Sequence, residues 1–269
     1  MAKPMADRRD PFSLTAKLQQ ITSFVLNTLV PPSCLACDTA VASGGHLCGN
    51  CWSRLRIIEQ PFCPIMGTPF AYDPGGVAGG VCEVTSLAVI AEPPTFDRSR
   101  SAVVYDDVAR RLVHGLKFSD RVDLAPWMAK WMVRAGKDIL APEAIVIPVP
   151  LHRWRMIRRR YNQSAELGRY VAKLSRIDFH PSVLQRIRPT RQQVGLGAKE
   201  RQRNVLGAFR VSPEMVIRVR SRHIVLVDDV YTTGATLQAC ARTLRRKGAA
   251  KVDCLTFARV VGGVAKSDL

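Results

Sequence analysis

Two short runs, Ala144–Val149 (AIVIPV) and Ile224–Val227 (IVLV), contain no polar residue at all. A strand that is apolar on both sides must be covered on both sides. The intervening sequence supplies the covers, because apolar residues recur at helical spacing over Val108–Phe118, Leu124–Ile139, Asn162–Leu174 and Ala235–Lys247. Ala102–Tyr105 and Val252–Phe257 read as further strands. Strands alternating with helices predict an α/β domain built on a parallel sheet with helices on both faces. In such sheets ligands sit at the carboxyl ends of strands, here just after Val149 and just after Val227. The composition agrees: 269 residues, 47% of them hydrophobic, are enough for one large domain, or a medium one with a small companion. That apolar fraction excludes a disordered chain, the scattered Gly and Pro exclude collagen, and no sustained heptad supports a coiled coil. No internal repeat stands out.

The first ninety residues are of another kind. Leu14, Leu18, Ile21, Val25 and Leu29 mark an amphipathic helix that Pro31 ends. It packs on its own protein or serves as a membrane-surface or partner helix; only Lys17 lies near its polar face, which favours the first. Asp7 and Asp10 in the charged part, and Pro31-Pro32 in place of a cleavage site, argue against a signal peptide. No apolar run approaches the length needed to span a bilayer, so the expectation is a soluble, cytoplasmic protein. A Pro-rich linker near Glu92-Pro93-Pro94 divides the chain, giving expected units of 1–30, 31–92 and 93–269.

Six of the eight cysteines fall between Cys34 and Cys82. Cys34-x-x-Cys37 and Cys48-x-x-Cys51 form two knuckles, each placing two sulfurs on one side of a tight turn, a tetrahedral arrangement suited to a structural Zn²⁺. The alternative is a set of free buried thiols. Neither pair lies inside a βαβ pattern, which argues against a redox role. Cys63 and Cys82 are isolated, with Met66 where a further knuckle would need cysteine, and Cys240 and Cys254 read as core.

The stretch IVLVDDVYTTGATL is the most informative in the chain. An apolar strand runs into Asp228 and Asp229, then a polar loop, Thr232-Thr233-Gly234-Ala235-Thr236, opens a helix. Gly234 permits a tight turn, and the free N–H groups of the helix start form an anion cradle to which the threonine hydroxyls add donors. Two carboxylates beside a phosphate would repel it unless hydroxyls or a cation lay between. A ribose 5-phosphate satisfies this, with its phosphate in the loop and its 2- and 3-hydroxyls on the carboxylates. The segment resembles the phosphoribosyl-pyrophosphate (PRPP) motif of type I phosphoribosyltransferases. That resemblance implies that Asp228 and Asp229 hold the ribose and that Thr232 to Thr236, including Gly234 and Ala235, wrap the 5-phosphate.

The formal charge is +18, and residues 1–90 contribute none of it, with six basic and six acidic side chains. Between Pro150 and Arg210 there are 15 basic residues against 3 acidic, which implies a polyanionic partner. Arg153, Arg155, Arg158, Arg159 and Arg160 follow the Ala144–Val149 strand, where guanidinium groups can grip a pyrophosphate bidentately. His152 beside them reads as structural. The polar, Gly-containing stretch from Thr190 to Phe209, with Gln193 and Arg201, suits a mobile lid. The ensemble of a four-cysteine module, PVPL, arginines, YNQ, TRQQVGL and VDDVYTTGAT resembles the ComF family of competence-related, phosphoribosyltransferase-like proteins, from Pro31 to Arg259. Lys117, in LVHGLKF, also matches a family position. The chain departs from the family at Met66 and the lone Cys82, where many members have further Cys pairs, and at Arg160, where many have Gly.

Two functions compete. One is a Mg²⁺-dependent PRPP transferase in which Asp228 and Asp229 are the catalytic carboxylates and Mg²⁺ bridges pyrophosphate and ribose oxygens. The other is a non-catalytic module that senses nucleotides or handles single-stranded DNA, with Trp154 and Tyr161 as stacking candidates.

Overall fold

The computed structural model describes residues 31–70, 84–151, 161–188, 205 and 207–261. Its centre is a five-stranded parallel sheet made of β1 (Arg98–Val104), β2 (Ile145–Pro148), β3 (Asp178–Phe179), β6 (His223–Tyr231) and β7 (Lys251–Arg259), in the order β1-β7-β6-β2-β3. Successive residues of a strand face opposite sides, and both sides are buried here. Val225 and Val227 join one apolar cluster with α3 (Asp107–Phe118), α4 (Leu124–Ala135) and α5 (Gln163–Ser175). Ile224 and Leu226 join a second cluster with α6 (Ala235–Arg246) and the antiparallel hairpin β4 (Leu184–Arg186)–β5 (Phe209–Val211). The short helices α1 (Gly49–Arg54) and α2 (Leu87–Ala91) precede the sheet.

Local chemistry sets the helix starts. Asp106 accepts from the Ala109 N–H at 2.9 Å to open α3, and Asn162 accepts from the Ser164 N–H at 3.1 Å to open α5; such caps stabilise a helix by about 1 kcal/mol. α4 ends at Ala135 rather than Ile139, because Gly136 closes it by donating to the Met132 carbonyl.

Four further sequence expectations change. β1 starts at Arg98, earlier than Ala102, and its polar residues Ser99, Arg100 and Ser101 are buried because each finds a partner: Arg259 bonds Ser99 at 2.7 Å, Arg100 bonds Asp138 at 2.6 Å and Ser101 bonds Thr256 at 2.7 Å. β6 continues through the acid pair to Tyr231, so Asp228 and Asp229 lie in a strand. Phe209 does not belong to a mobile stretch; it pairs with Arg186 in the hairpin and is buried.

The fourth change is an internal repeat. Cys34 N–H donates to Thr39 at 2.8 Å and Asp38 N–H to Cys34 at 3.2 Å, with Ser33 bridged to Ala40. Twenty-nine residues on, Cys63 N–H donates to Thr68 at 2.9 Å and Gly67 N–H to Cys63 at 2.7 Å, with Phe62 bridged to Pro69. Asp38 and Gly67 share the left-handed conformation, at φ 59° and 64°. The second copy is the same knuckle with Met66 in the place of Cys37. The amphipathic segment of residues 14–29 lies outside the described residues. Among the described residues no helix is long and apolar enough to cross a membrane.

Candidate functional site

Four elements converge at the carboxyl end of β6: the last turn of α3, the first turns of α5 and α6, and the strand itself. Because neighbouring residues of a strand point to opposite faces, Asp228 and Asp229 meet different partners. Asp229 is buried and its Oδ2 lies 2.9 Å from Lys117 Nζ at the end of α3. Asp228 Oδ1 accepts from Ser164 Oγ at 2.8 Å and from the Asp229 N–H at 2.9 Å. Burial, reinforced by the charge of Asp229, pushes the Asp228 carboxyl up to about 7, against the opposing pull of Ser164 and Lys117. One acid is thus paired with a lysine, while the surroundings of its neighbour oppose ionisation.

The turn after β6 is built for a backbone approach. Gly234 has φ 74° and opens α6 with no side-chain cap, so the first N–H groups are those that a helix offers to an anion. A Cβ at Gly234 would lie 2.5 Å from Tyr231 Cζ and closer still to its hydroxyl. The Tyr231 ring is therefore the floor of the turn. Burial pushes its phenol up to about 12. Thr233 is exposed, Thr232 and Thr236 are half-buried, and Ala235 is buried at the start of α6.

Cys34, Cys37, Cys48 and Cys51 come together with their four sulfurs all within 4.8 Å of one another, and Cys37 and Cys48 3.6 Å apart. A tetrahedral zinc–thiolate site has sulfurs about 3.8 Å apart, from Zn–S bonds of about 2.3 Å. The backbone supports this donor set: Cys48 N–H donates to Cys34 Sγ at 3.2 Å and Cys51 N–H to Cys48 Sγ at 3.4 Å. Hydrogen bonding with Thr39 lowers the Cys37 thiol to about 6, whereas burial raises Cys51. The residues fit a structural zinc ion, and the four sequence-assigned ligands are the four that cluster.

Arg153, Arg155, Arg158 and Arg159 of the expected pyrophosphate loop, and Gln193 and Arg201 of the expected lid, lie outside the described residues, as do His152, Trp154 and Arg160. Two participants were not singled out in the sequence for these roles: Ser164 and Tyr231. Their only signal was position, in the turn opened by the Asn162 cap and directly before the threonine loop.

Comparison with known proteins agrees with this anatomy. Residues 25–84 match a double zinc ribbon domain and residues 178–268 match a phosphoribosyl transferase domain. The "DNA utilization protein YhgH" of Escherichia coli (strain K12) is 31% identical over 239 residues, covering 86% of this chain and 99% of that one. "Competence protein F" of Haemophilus influenzae is 28% identical, covering 84% and 96%. "Competence protein ComFC" of Bacillus subtilis is 27% identical, covering 79% and 84%. With a zinc knuckle packed on a phosphoribosyltransferase-like sheet and relatives matched across nearly their whole length, the chain belongs to the ComF family of competence-related proteins.

Proposed function

We propose that this protein binds PRPP with Mg²⁺ and transfers its phosphoribosyl group to a nucleophilic acceptor. The observation that carries the reading is the junction of β6 with α6, where two acids with different partners stand directly before an uncapped, glycine-dependent helix start. In this reading Asp228 and Asp229 accept the ribose 2- and 3-hydroxyls, and Thr232 to Thr236 hold the 5-phosphate. Lys117, 2.9 Å from Asp229, holds that side chain in place. Arg153, Arg155, Arg158 and Arg159, which the sequence puts just after β2, take the pyrophosphate. Mg²⁺ bound with the substrate would neutralise charge on the departing pyrophosphate. The C1–O bond breaks with its electron pair leaving on pyrophosphate, and the acceptor, an N–H or O–H nucleophile, bonds to C1 and loses its proton. The unit boundaries 1–30, 31–92 and 93–269 and a cytoplasmic site of action belong to the same proposal.

Calorimetry of PRPP binding with and without Mg²⁺, on wild type beside Asp228→Asn/Asp229→Asn, tests the reading. Mg²⁺-dependent binding lost in the double variant supports it. Equal binding by both proteins removes the acid pair from the site.

A second reading, single-stranded DNA binding on a transferase fold, has two supports. The relatives are named for DNA utilization and competence, and a cavity of about 620 Å³ between the first knuckle and α3 is lined by Arg110, Arg111, His114 and Arg121.

A further inference from the structure

Arg259 ends β7, and neither the zinc centre nor the acid pair accounts for it. The residue is 2% exposed, and its hydrogen-bond partners among the described residues are neutral. One Nη donates to Ser99 Oγ at 2.7 Å, the other to Thr68 Oγ1 at 3.3 Å, and Nε has no partner among the described residues. The guanidinium carbon lies 3.8 Å from the centroid of the Tyr231 ring, within cation–π range. Burial pulls its pKa down. Burying a guanidinium without a carboxylate is unfavourable, so the surrounding packing has to hold it there.

The three partners come from three parts of the molecule. Ser99 belongs to β1 and Tyr231 is the last residue of β6. Thr68 belongs to the second knuckle, the one in which Met66 stands where the first has Cys37. That knuckle is fixed to β1 by its own backbone: Ser99 N–H donates to the Ile65 carbonyl at 2.7 Å, and Arg100 Nη1 to the Pro64 carbonyl at 2.9 Å. Gly67 sits so close that a Cβ would run into the Ser99 carbonyl. At its hydroxyl end the Tyr231 ring lies against Gly234, and Phe96 packs T-shaped on it at 6.4 Å. A continuous set of contacts therefore runs from the second knuckle through Arg259 and Tyr231 to the turn that opens α6.

We propose that Arg259 is a positioning residue for the 5-phosphate loop: anchored by Thr68 of the second knuckle, it holds Tyr231 against Gly234 and sets the Thr232–Thr236 turn. This inference rests on the PRPP reading and adds to it a role for the second knuckle, which acts as a strut behind the phosphate site. The guanidinium also places a fixed positive charge 3.8 Å from the centroid of the ring that meets the turn.

The test is calorimetry on the full-length zinc-loaded protein, with ribose 5-phosphate and magnesium pyrophosphate as separate probes, for wild type, Arg259→Met, Arg259→Lys and Thr68→Val. Arg259→Met should weaken ribose 5-phosphate by about tenfold, as expected for loss of charge-assisted contacts. Arg259→Lys keeps the charge without the two-armed stacked group and should recover part of that loss. Thr68→Val should cost about two- to threefold. Pyrophosphate binding should stay within about twofold throughout. Ribose 5-phosphate binding by Arg259→Met equal to wild type overturns the proposal, as do equal losses for both probes, which would mark a merely structural role. If Arg259→Met does not fold, Arg259→Lys and Thr68→Val decide by the same criteria. Wild type that fails to bind ribose 5-phosphate at all overturns the PRPP reading itself, whereas binding by wild type and every variant alike overturns only the assignment of Arg259.

Discussion

Asp228 is a carboxyl group whose surroundings resist its ionisation, with desolvation and the charge of Asp229 pushing it up to about 7. Its pKa in the folded protein lies above the unfolded value, so the stability it contributes is full below about pH 4 and is lost as pH rises through about 7. Asp228→Asn removes that loss while keeping an acceptor for Ser164. The variant should melt above wild type at pH 8 and together with it only below about pH 4, while binding PRPP more weakly; equal melting temperatures at pH 8 would show that the ionised carboxylate is tolerated without cost. Gly234 presents the opposite case, a residue that accepts no replacement. Its φ of 74° strains any L side chain, and the Tyr231 ring that a Cβ would meet cannot move aside, being packed between Arg259 and Phe96. Gly234→Ala should cost more than about 1 kcal/mol in denaturant unfolding and reduce ribose 5-phosphate binding.

The zinc knuckle is an element without a core of its own. Cys34, Leu35, Cys51 and Leu55 belong to the same buried cluster as Leu112 and Leu116 of α3 and Met128 and Met132 of α4. Trp52 of α1, next to Cys51, meets Trp131 of α4 at 5.3 Å, and Arg134 ties α4 to Glu59 at 2.6 Å. Chelating the zinc, or Cys48→Ser, should therefore shift tryptophan emission and lower a single melting transition of the whole chain by about 5 °C or more. Two separate transitions would show that the knuckle folds independently. How far such elements were legible in the sequence depended on how local their causes are. Ile224–Val227 and the four cysteines declare themselves by composition and spacing, and the threonine loop by its chemistry. The first half of β1 does not, because Arg98 to Ser101 look exposed until Asp138, Thr256 and Arg259 arrive from distant parts of the chain. The second knuckle was only half legible: Cys63 marked where it would start, but with Met66 in place of its partner cysteine the repeat survives chiefly in backbone hydrogen bonds and φ angles.

Across the whole molecule the charge is lopsided, with the entire excess of +18 lying beyond residue 90. One PRPP molecule does not need the 15 basic residues between Pro150 and Arg210, so the surplus has to be tested against a longer polyanion. The groove between the first knuckle and α3 offers a defined place to begin. Its cations are unequal: Arg121 is committed to Asp123 at 2.9 Å, whereas Arg110 and Arg111 are exposed and only loosely joined to Asp107, at 3.4 Å. His114 lies against exposed Phe118 with ring centroids 4.7 Å apart and planes tilted by 39°, giving an aromatic pair beside them. A single strand releases counterions with a slope of about −0.7 in log K against log salt for each phosphate neutralised. If a strand lies in this groove, Arg110→Ala/Arg111→Ala should flatten the salt slope of oligothymidine binding by about 1.4, and Phe118→Ala should weaken binding without changing the slope. An unchanged slope in the double variant moves the contact to the 150–210 segment, and no binding at low salt leaves the phosphoribosyl site as the sole claimant on the charge.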